Sequence, residues 1–469
     1  MPSTNITTPQ CKTVFILLFW LLTPLFSPAL LAEEPDLVVL ASGPETTELL
    51  RQIGEPLAMA AELPAKEIHF HVVLNSTLNA FAMLNRHIVL NSGLMLAVQD
   101  RDELAGVMAH EIAHLKAGHH LQLQAMSKKY SLQTMITAAA GILATLASRD
   151  TQIGQAVMTG GAASAQTSIL EGIRRKEAQA DRLAISLLSD AGFNPDGLAG
   201  FMNRLVRQQQ ISTLPPPYLL SHPISTERLM DTQRMAKEVA STQPRRPDAT
   251  ENQLLARAQA ILEAETNASP EEAANQFRNR LKLDPDNLAL GQGLAESLRS
   301  AGRLPEAETQ CNAMLKTRPK DAYLLRQRGL IRIEMGKNPE AEQDLRAALA
   351  LLPDNPDLRF RLAFVLKELK KPLDASRMLR QLTAQYPNDP RYFYLLGITD
   401  GQGGREGEAH IAMGRYYALI QDKKNALWHF QEAIRLLPPT SPDHAIAKSE
   451  LVQTRKMEQE IEVIERKRR

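Results

Sequence analysis

His110-Glu111-Ile112-Ala113-His114 is the stretch of this sequence that decides the fold. Residues four apart on a helix share one face, so both imidazoles can point at the same metal ion. Glu111 lies beside them, where its carboxylate can take a proton from a water that the metal activates. The simpler alternative is two surface histidines on an ordinary helix. The motif predicts a catalytic zinc site with one Zn²⁺ per chain.

The residues around this motif favour a helix that is preceded by a small sheet. Asp100 or Asp102 is expected to cap the start of the helix. Residues 68–74 alternate like a strand, and 79–84 with 87–91 can form a hairpin through Asn85-Arg86. An open strand edge at Asn79, Ala80 and Phe81 can hold an extended peptide by main-chain hydrogen bonds. A purely structural hairpin is the alternative.

A catalytic zinc site needs a third protein ligand, and two candidates compete for this role. His120 lies ten residues after His110, where the HExxHxxGxxH class has its third ligand, but Ala117 stands where that class needs glycine. Glu177 is the other candidate. Asp181 follows it by one helical turn and can orient a ligand imidazole from behind. A solvated helix acid is the alternative for Glu177, because basic residues surround it.

The sequence around these acids carries a family resemblance. Glu177-Ala178-Gln179-Ala180-Asp181, downstream of the HExxH motif, resembles the gluzincin superfamily that contains the CAAX-prenyl endopeptidases and the heat-shock membrane protease HtpX. Further matches to this family are Asn79-Ala80-Phe81, Gly93-Leu94, and His222-Pro223 followed by Arg228. One departure is Asn85-Arg86, where relatives usually have two glycines.

This resemblance implies a ligand set and a role for the loop around His222. Glu177 is implied as the third zinc ligand, which leaves His119 and His120 as helix-surface or packing residues. His222 either occupies the fourth zinc position, which would make a latent enzyme, or stabilises the oxyanion of the reaction. A loop histidine packed on its proline is the third alternative. Arg228 is predicted to anchor the loop by pairing with an acid such as Asp181.

The last part of the chain repeats every 34 residues. The step separates Pro285, Pro319, Pro353 and Pro387, and also Ala273, Ala307, Ala341, Ala375 and Ala409. Small alanines let paired helices pack closely, and each proline stops a helix, so this period predicts tetratricopeptide (TPR) helical hairpins. The register is expected to break near residues 401–404, because Ala426 follows Ala409 by half a period.

The chain is therefore predicted to be α+β, with a zincin-type metallopeptidase domain followed by an all-α TPR solenoid. The metallopeptidase domain is expected to be mostly helical with a small sheet. The predicted segments are a signal peptide at 1–32, the peptidase domain at 33–241, a linker at 242–250, TPR repeats at 251–447 and a charged helix at 448–469.

Charge and hydropathy limit the partners and the cellular compartment that can be expected for this chain. Residues 1–32 have Lys12 as their only charge, followed by an apolar run, which indicates secretion; a retained anchor is the alternative. Residues 130–148 carry no charge and favour a buried or membrane-surface helix over a transmembrane one, whereas residues 151–170 suit a mobile loop or lid. Peripheral membrane contact through 130–170 is the expected consequence. The 54 basic residues nearly balance the 53 acidic ones, which argues against nucleic-acid binding. Cys311 is the one cysteine outside the predicted signal peptide.

The layout of signal peptide, peptidase and repeats is similar to periplasmic proteases that assist β-barrel assembly in Gram-negative bacteria. This similarity implies an endopeptidase that degrades misassembled outer-membrane proteins in the periplasm and also assists their assembly. The implied partners are outer-membrane β-barrel proteins as substrates and the β-barrel assembly machinery, bound through the TPR repeats. The alternative is a TPR-based chaperone or scaffold with a latent protease site.

Overall fold

The computed structural model describes residues 40–41, 43–83, 86–119, 163–211, 217–242 and 251–468. Several predictions lie outside these ranges and stay predictions: the signal peptide at 1–32, residues 130–162 of the uncharged segment, linker residues 243–250, Asn85 and His120.

The described elements follow one another along the chain and are numbered here in that order. The strands are β1 (Leu40–Ala41), β2 (His69–Val73), β3 (Ala80–Ala82) and β4 (His87–Asn91). The helices up to the predicted linker are α1 (Pro44–Ala60), α2 (Ser92–Ala97), α3 (Arg101–Lys116), α4 (Ala163–Asp190), α5 (Asp196–Ile211), α6 (Pro217–Ser221) and α7 (Thr226–Thr242). The later helices are α8 (Glu251–Thr266), α9 (Pro270–Leu283), α10 (Leu288–Ser300), α11 (Leu304–Thr317), α12 (Ala322–Glu334), α13 (Asn338–Leu351), α14 (Pro356–Glu368), α15 (Pro372–Gln385), α16 (Pro390–Gln402), α17 (Glu406–Leu419), α18 (Lys423–Leu436) and α19 (Pro442–Arg468).

The four strands form one sheet in the order β1-β2-β4-β3. Strands β2 and β4 are parallel, with His69 opposite His87, whereas β3 runs antiparallel to β4. The alternation of the sheet turns Ile88 and Leu90 to the fully buried face, so the neighbouring residues of β4 lie on the other face. The predicted strand and hairpin are confirmed, and β3 lies at an edge of the described sheet.

Helix α3, which carries the HExxH motif, has well-defined ends. The Asp100 carboxylate accepts a hydrogen bond from the Glu103 N–H at 2.8 Å, and the Glu103 carboxylate accepts one from the Gln99 N–H. The bond to Asp100 satisfies an N–H group that the first helical turn leaves free, so Asp100 is the N-cap. Gly118 adopts a φ of +66° just after the helix, which is the left-handed geometry that ends a helix.

Two glycines bring α3 and α5 into backbone contact. A Cβ atom on Gly197 would lie 2.1 Å from the Asp102 carbonyl oxygen, and one on Gly106 would lie 2.6 Å from the Leu198 nitrogen. Side chains can move away from such a clash, but these neighbours are main-chain atoms of packed helices. The close crossing fixes the depth at which α3 lies in the core.

Gly197→Ala is therefore expected to destabilise the fold by about 3 kcal/mol, because the two helices must separate. Urea denaturation followed by circular dichroism measures this loss. Gly172→Ala in α4 is the matched control, since a Cβ there meets no described atom within 4 Å. The control should keep or raise the denaturation midpoint, because alanine favours a helix more than glycine does. Equal midpoints for the two variants would contradict the close-contact argument.

Contacts between Cα atoms divide the chain into residues 1–293 and 294–469. Helix α8 therefore belongs with the first unit, and its Leu255, Ala258 and Leu262 lie in the same apolar core as α3. The Gln259 amide donates hydrogen bonds to the carbonyls of Met95 and Val98 at 2.9 and 2.8 Å. The predicted domain boundary at 242–250 stays a prediction.

The second unit consists of helices that keep the 34-residue step. Left-handed residues recur at 302, 336, 370 and 404, where each first helix of a pair turns into the second. The repeat alanines Ala307, Ala341 and Ala375 are fully buried between helices. The register break expected at 401–404 is wrong, because Gly404 holds the regular turn. The half-period step follows α17 instead, where α18 adds a helix.

These observations confirm the predicted fold class, an α+β first unit and an all-α repeat unit. None of the helices that the structure describes has both the length and the apolar character needed to cross a bilayer.

Candidate metal centre

His110 and His114 lie on the inner face of α3, as the helical period predicts. Their Nε2 atoms are 3.0 Å apart, and His110 is fully buried. Two ring nitrogens at this distance leave no space for an apolar side chain or for water molecules between them. The two nitrogens are instead spaced like donors to one ion, since two Zn–N bonds of about 2.0 Å put ligand atoms roughly 3.3 Å apart.

Helix α4 brings two carboxylates to the same place. Glu177 lies 3.4 Å from the Nε2 atoms of both His110 and His114, through Oε2 and Oε1 respectively. Asp181, one turn later, lies behind His110. Both acids are almost fully buried. The structure thus brings together the residues that sequence reasoning and resemblance singled out on two different helices.

His222 completes a four-residue cluster. Its Nδ1 is 3.1 Å from Glu177 Oε2 and 3.3 Å from His110 Nε2. One ligand atom from each of His110, His114, Glu177 and His222 lies within 4.8 Å of all the others, the single group of this kind among the described residues. Two or three imidazoles with one carboxylate form a donor set that suits zinc.

Glu111 lies beside this cluster, with one oxygen that makes no hydrogen bond among the described residues. This oxygen, Oε1, is buried, and His222 Nε2 lies 3.5 Å from it. An unpaired buried carboxylate oxygen is costly, so a native protein keeps one where a ligand or water will use it. The residues present therefore fit a metal ion with an activated water.

Arg228 ties the carboxylates together, as predicted. Its Nη2 donates to Asp181 Oδ1 at 2.8 Å, its Nε also donates to Asp181, and its Nη1 lies 2.9 Å from Glu177 Oε2. Nη1 also donates to the Pro223 carbonyl at 2.9 Å, which fixes the loop after His222. The guanidinium neutralises two buried acids and anchors the loop in one contact network.

Asp181 in turn supports His110. Its Oδ1 is 2.9 Å from His110 Nδ1, the ring nitrogen that faces away from the cluster. The approach departs from the N–H direction, so this contact is a close ion pair that a small ring rotation would turn into a hydrogen bond. A carboxylate behind a ligand imidazole orients the ring and raises its basicity.

The electrostatics of the cluster follow from burial and from these contacts. Burial by itself lowers the pKa of His110, but the carboxylates of Asp181 and Glu177 outweigh it and raise this pKa to about 9. Burial, together with the charge on His110, lowers the pKa of His114 to about 2. The Glu177 pKa is held well below its usual value, because His222, His110 and Arg228 outweigh the effect of burial. Glu177 is therefore a carboxylate at neutral pH, ready to bind a cation.

Two further residues support the cluster through contacts that were not predicted from the sequence. His119, expected on the surface or in packing, lies with its Nδ1 3.0 Å from Nδ1 of His114 and its Nε2 3.3 Å from Gln179 Oε1. It thus fixes the far side of His114. Tyr218 is buried against the His222 ring, with centroids 4.7 Å apart, and its N–H donates to the Leu78 carbonyl. The three consecutive prolines just before Tyr218 were the sequence feature that could have indicated its role.

The edge strand β3 lies next to α3, the helix that carries the HExxH motif. β3 contacts α3 and pairs with one strand, β4, among the described residues. Phe81 is exposed, Ala80 is buried, and the Asn79 side-chain oxygen is buried without a hydrogen-bond partner in the described residues. An edge strand of this kind can bind an extended peptide through its main-chain groups.

Comparisons with known proteins agree with this geometry. The model of Peptidase family M48 matches residues 44–236. Models of the Tetratricopeptide repeat match residues 294–363 and 332–397, which confirms the repeat prediction for that part of the chain.

Individual proteins are similar to stretches of this chain. A beta-barrel assembly-enhancing protease of Yersinia pestis is 29% identical over 286 residues, 60% of this chain and 57% of that protein. The protein of the same name from Escherichia coli (strain K12) is 28% identical over 296 residues, 61% of this chain and 58% of that protein. The chain thus spans little more than half the length of these relatives. Metalloprotease YcaL of Escherichia coli (strain K12) is 30% identical over 193 residues, 40% of this chain and 71% of that protein. The HExxH helix, the cluster around it and these matches together show that the chain belongs to peptidase family M48.

Proposed function

We propose that this protein is a zinc-dependent endopeptidase in which His110, His114 and Glu177 hold one Zn²⁺ and Glu111 is the general base. The observation that carries the proposal is the convergence of these three side chains from two helices beside the unpaired Oε1 of Glu111. A closed structural zinc site would have no use for such an oxygen.

Bound zinc would supply Lewis acidity, which makes a water nucleophilic and polarises the scissile carbonyl. Residues of the chain transfer the proton, position the ligands and bind the substrate. Glu111 takes the proton of the attacking water and returns it to the leaving amine. Asp181 holds the His110 ring, and Arg228 keeps Asp181 in place. The edge strand at Asn79, Ala80 and Phe81 binds the substrate in an extended conformation, parallel or antiparallel to β3.

The biological setting is also part of the proposal. We infer a periplasmic location in a Gram-negative bacterium, outer-membrane β-barrel proteins as substrates, and contact with the β-barrel assembly machinery through the repeats. The names of the Yersinia and Escherichia relatives support the link to β-barrel assembly. The stacked helices of the second unit support protein binding, because repeats of this kind present extended surfaces. Peripheral membrane contact through 130–170 belongs to the same proposal.

Removal of the metal is the direct test. Dialysis against a chelator is expected to abolish cleavage of an unfolded protein such as casein, and one equivalent of Zn²⁺ should restore it. Metal analysis before and after dialysis should show one zinc lost and regained at the proposed centre. Full cleavage by metal-free protein would remove the proposal, whereas restoration by Mg²⁺ alone would exclude zinc as the cofactor.

His222→Ala is expected to raise casein cleavage several-fold. The Nδ1 of His222 lies among the proposed ligand atoms, where it competes with water and substrate for the fourth position. Ser221→Ala alters the same loop without removing an imidazole, so it is the matched control and should keep the activity of the wild type. A loss of activity in His222→Ala, with intact folding and zinc content, would assign His222 to oxyanion stabilisation instead.

A second candidate function is a chaperone or scaffold with a latent protease site. The position of His222 inside the cluster favours it, because a fourth protein ligand leaves no open coordination position. In that case the repeats would carry the main activity, and cleavage would depend on movement of the loop around His222.

A further inference from the structure

His119 follows the end of α3 and lies against the side of His114 that faces away from the cluster. Gly118 adopts a φ of +66°, and its N–H donates to the Leu115 carbonyl at 3.1 Å, so the chain turns just after the helix. The turn brings the rings of His119 and His114 together, with centroids 4.9 Å apart and planes at 72°. His119 is buried, so its ring, and not water, is the partner that His114 meets on this side.

The two histidines of the HExxH motif have different groups behind them. Their Nε2 atoms both face the cluster, which leaves Nδ1 of each ring for a supporting contact. Nδ1 of His110 has the Asp181 carboxylate at 2.9 Å, whereas Nδ1 of His114 has Nδ1 of His119 at 3.0 Å. The second proposed ligand is thus supported by an imidazole and not by an acid.

The contact between the two Nδ1 atoms decides which tautomer His114 adopts. Two ring nitrogens 3.0 Å apart share one proton, because two protons would collide and two lone pairs would repel each other. If His119 donated, the proton of a neutral His114 would lie on Nε2, where a metal has to bind. A ligand imidazole is neutral and offers a lone pair to the metal. Metal binding therefore requires that His114 Nδ1–H donates and that His119 Nδ1 accepts.

Gln179 favours the same arrangement. Its Oε1 lies 3.3 Å from Nε2 of His119, and a carbonyl oxygen only accepts hydrogen bonds. With the amide in this orientation, the proton of a neutral His119 lies on Nε2, and its Nδ1 keeps a lone pair for His114. Gln179 stands on α4 between Glu177 and Asp181, so one segment of this helix supports both histidines of the motif.

We propose that His119 is a positioning residue for His114, which holds this ligand in the tautomer whose Nε2 lone pair faces the metal. Gln179 in turn fixes the tautomer of His119. The inference rests on the proposed zinc centre and adds a residue on which its affinity for zinc depends. Without an acceptor at Nδ1, the ring of His114 is free to carry its proton on either nitrogen and to rotate. Zinc then binds only the fraction of molecules with the competent ring, which raises the apparent dissociation constant.

A pair of variants of similar size tests the acceptor by itself. His119→Leu removes it, whereas the side-chain oxygen of His119→Asn can stand where Nδ1 of the histidine stood. His119→Leu is expected to weaken zinc binding by about 10- to 100-fold, the range typical for loss of a group that supports a metal ligand. His119→Asn should recover most of this loss. Competition with a chromogenic chelator at neutral pH gives the dissociation constants without any measurement of cleavage.

Two other variants define the size of the effect. Gln179→Met should cost less than His119→Leu, because the Gln179 side chain is exposed and water can replace its oxygen. The matched control comes from the repeats, where Nδ1 of His410 lies 2.9 Å from Nδ1 of His429. This pair has the same kind of contact but includes none of the four clustered residues. His429→Leu should therefore bind zinc as tightly as the wild type.

Equal zinc affinities for folded His119→Leu and His119→Asn would overturn the inference, because ring packing and not an acceptor would then be the role of His119. If His119→Leu does not fold, His119→Ala takes its place, with the same expected loss. A wild type that binds zinc but does not cleave casein would contradict the proposed peptidase and leave the comparison of affinities in force. A wild type that binds no zinc would overturn both.

Discussion

Glu111→Gln is expected to reduce peptide-bond cleavage by about 10²- to 10⁴-fold, the range typical for the loss of a general base. Glutamine is nearly isosteric with glutamate but cannot accept the proton of the attacking water. The proposed ligands are untouched, so zinc content measured by atomic absorption should stay at the level of the wild type. Initial rates with casein or a quenched peptide give the fold-change.

Glu171→Gln is the matched control, because Glu171 is exposed on α4, the helix that also carries Glu177. It should leave the rate unchanged. Turnover by Glu111→Gln at the rate of the wild type would disprove the proposed role of Glu111. In cells, full complementation of a deletion strain by Glu111→Gln would favour the chaperone function over proteolysis.

Arg228→Met is expected to cost about 3–5 kcal/mol of stability, the typical penalty for removing one partner of a buried ion pair. Arg228 is almost fully buried and neutralises Asp181 and Glu177 at once. Without the guanidinium, both acids stay in a site shielded from water. The loop after His222 also loses its bond from Arg228 to the Pro223 carbonyl. Urea denaturation of the metal-free protein at neutral pH measures the loss.

Two further variants separate this effect from simple loss of packing. Arg234→Met, on the same helix α7, removes an exposed arginine that pairs with Glu238, and should leave the denaturation midpoint unchanged. Arg228→Met combined with Asp181→Asn should lose less than the sum of the two single variants, because the second change removes an acid that the first leaves unpaired. Strict additivity would show that the two side chains do not interact.

Much of the candidate metal centre could be predicted because two of its residues, His110 and His114, lie one turn apart on the same helix. The helical period alone places His110 and His114 on one face, and Asp100 was one of two expected caps. The choice of Glu177 needed the family resemblance, because the crossing of α3 and α4 depends on long-range packing. The contact between His119 and His114 was not predicted for a related reason. Gly118 turns the chain back through a positive φ, and no helical period describes a residue beyond that turn.

The repeats were predictable because each helical pair packs mainly against its neighbours, so one period of sequence specifies one period of structure. The position of the half-period step was not. Glycines at 401–404 looked like an interruption, although Gly404 occupies the left-handed position that Gly302 and Gly336 hold in earlier repeats.

Helix α8 has a practical consequence for anyone who shortens this chain. A fragment ending at the predicted linker would lack Leu255, Ala258 and Leu262, which are part of the apolar core of the first unit. The apolar side chains that pack against these three residues would then be exposed to water. It would also lack Gln259 and Asn252, whose side chains meet the Met95 and Val98 carbonyls and the Arg101 N–H. A stable fragment of the peptidase unit is therefore expected to extend past the predicted linker and to include α8.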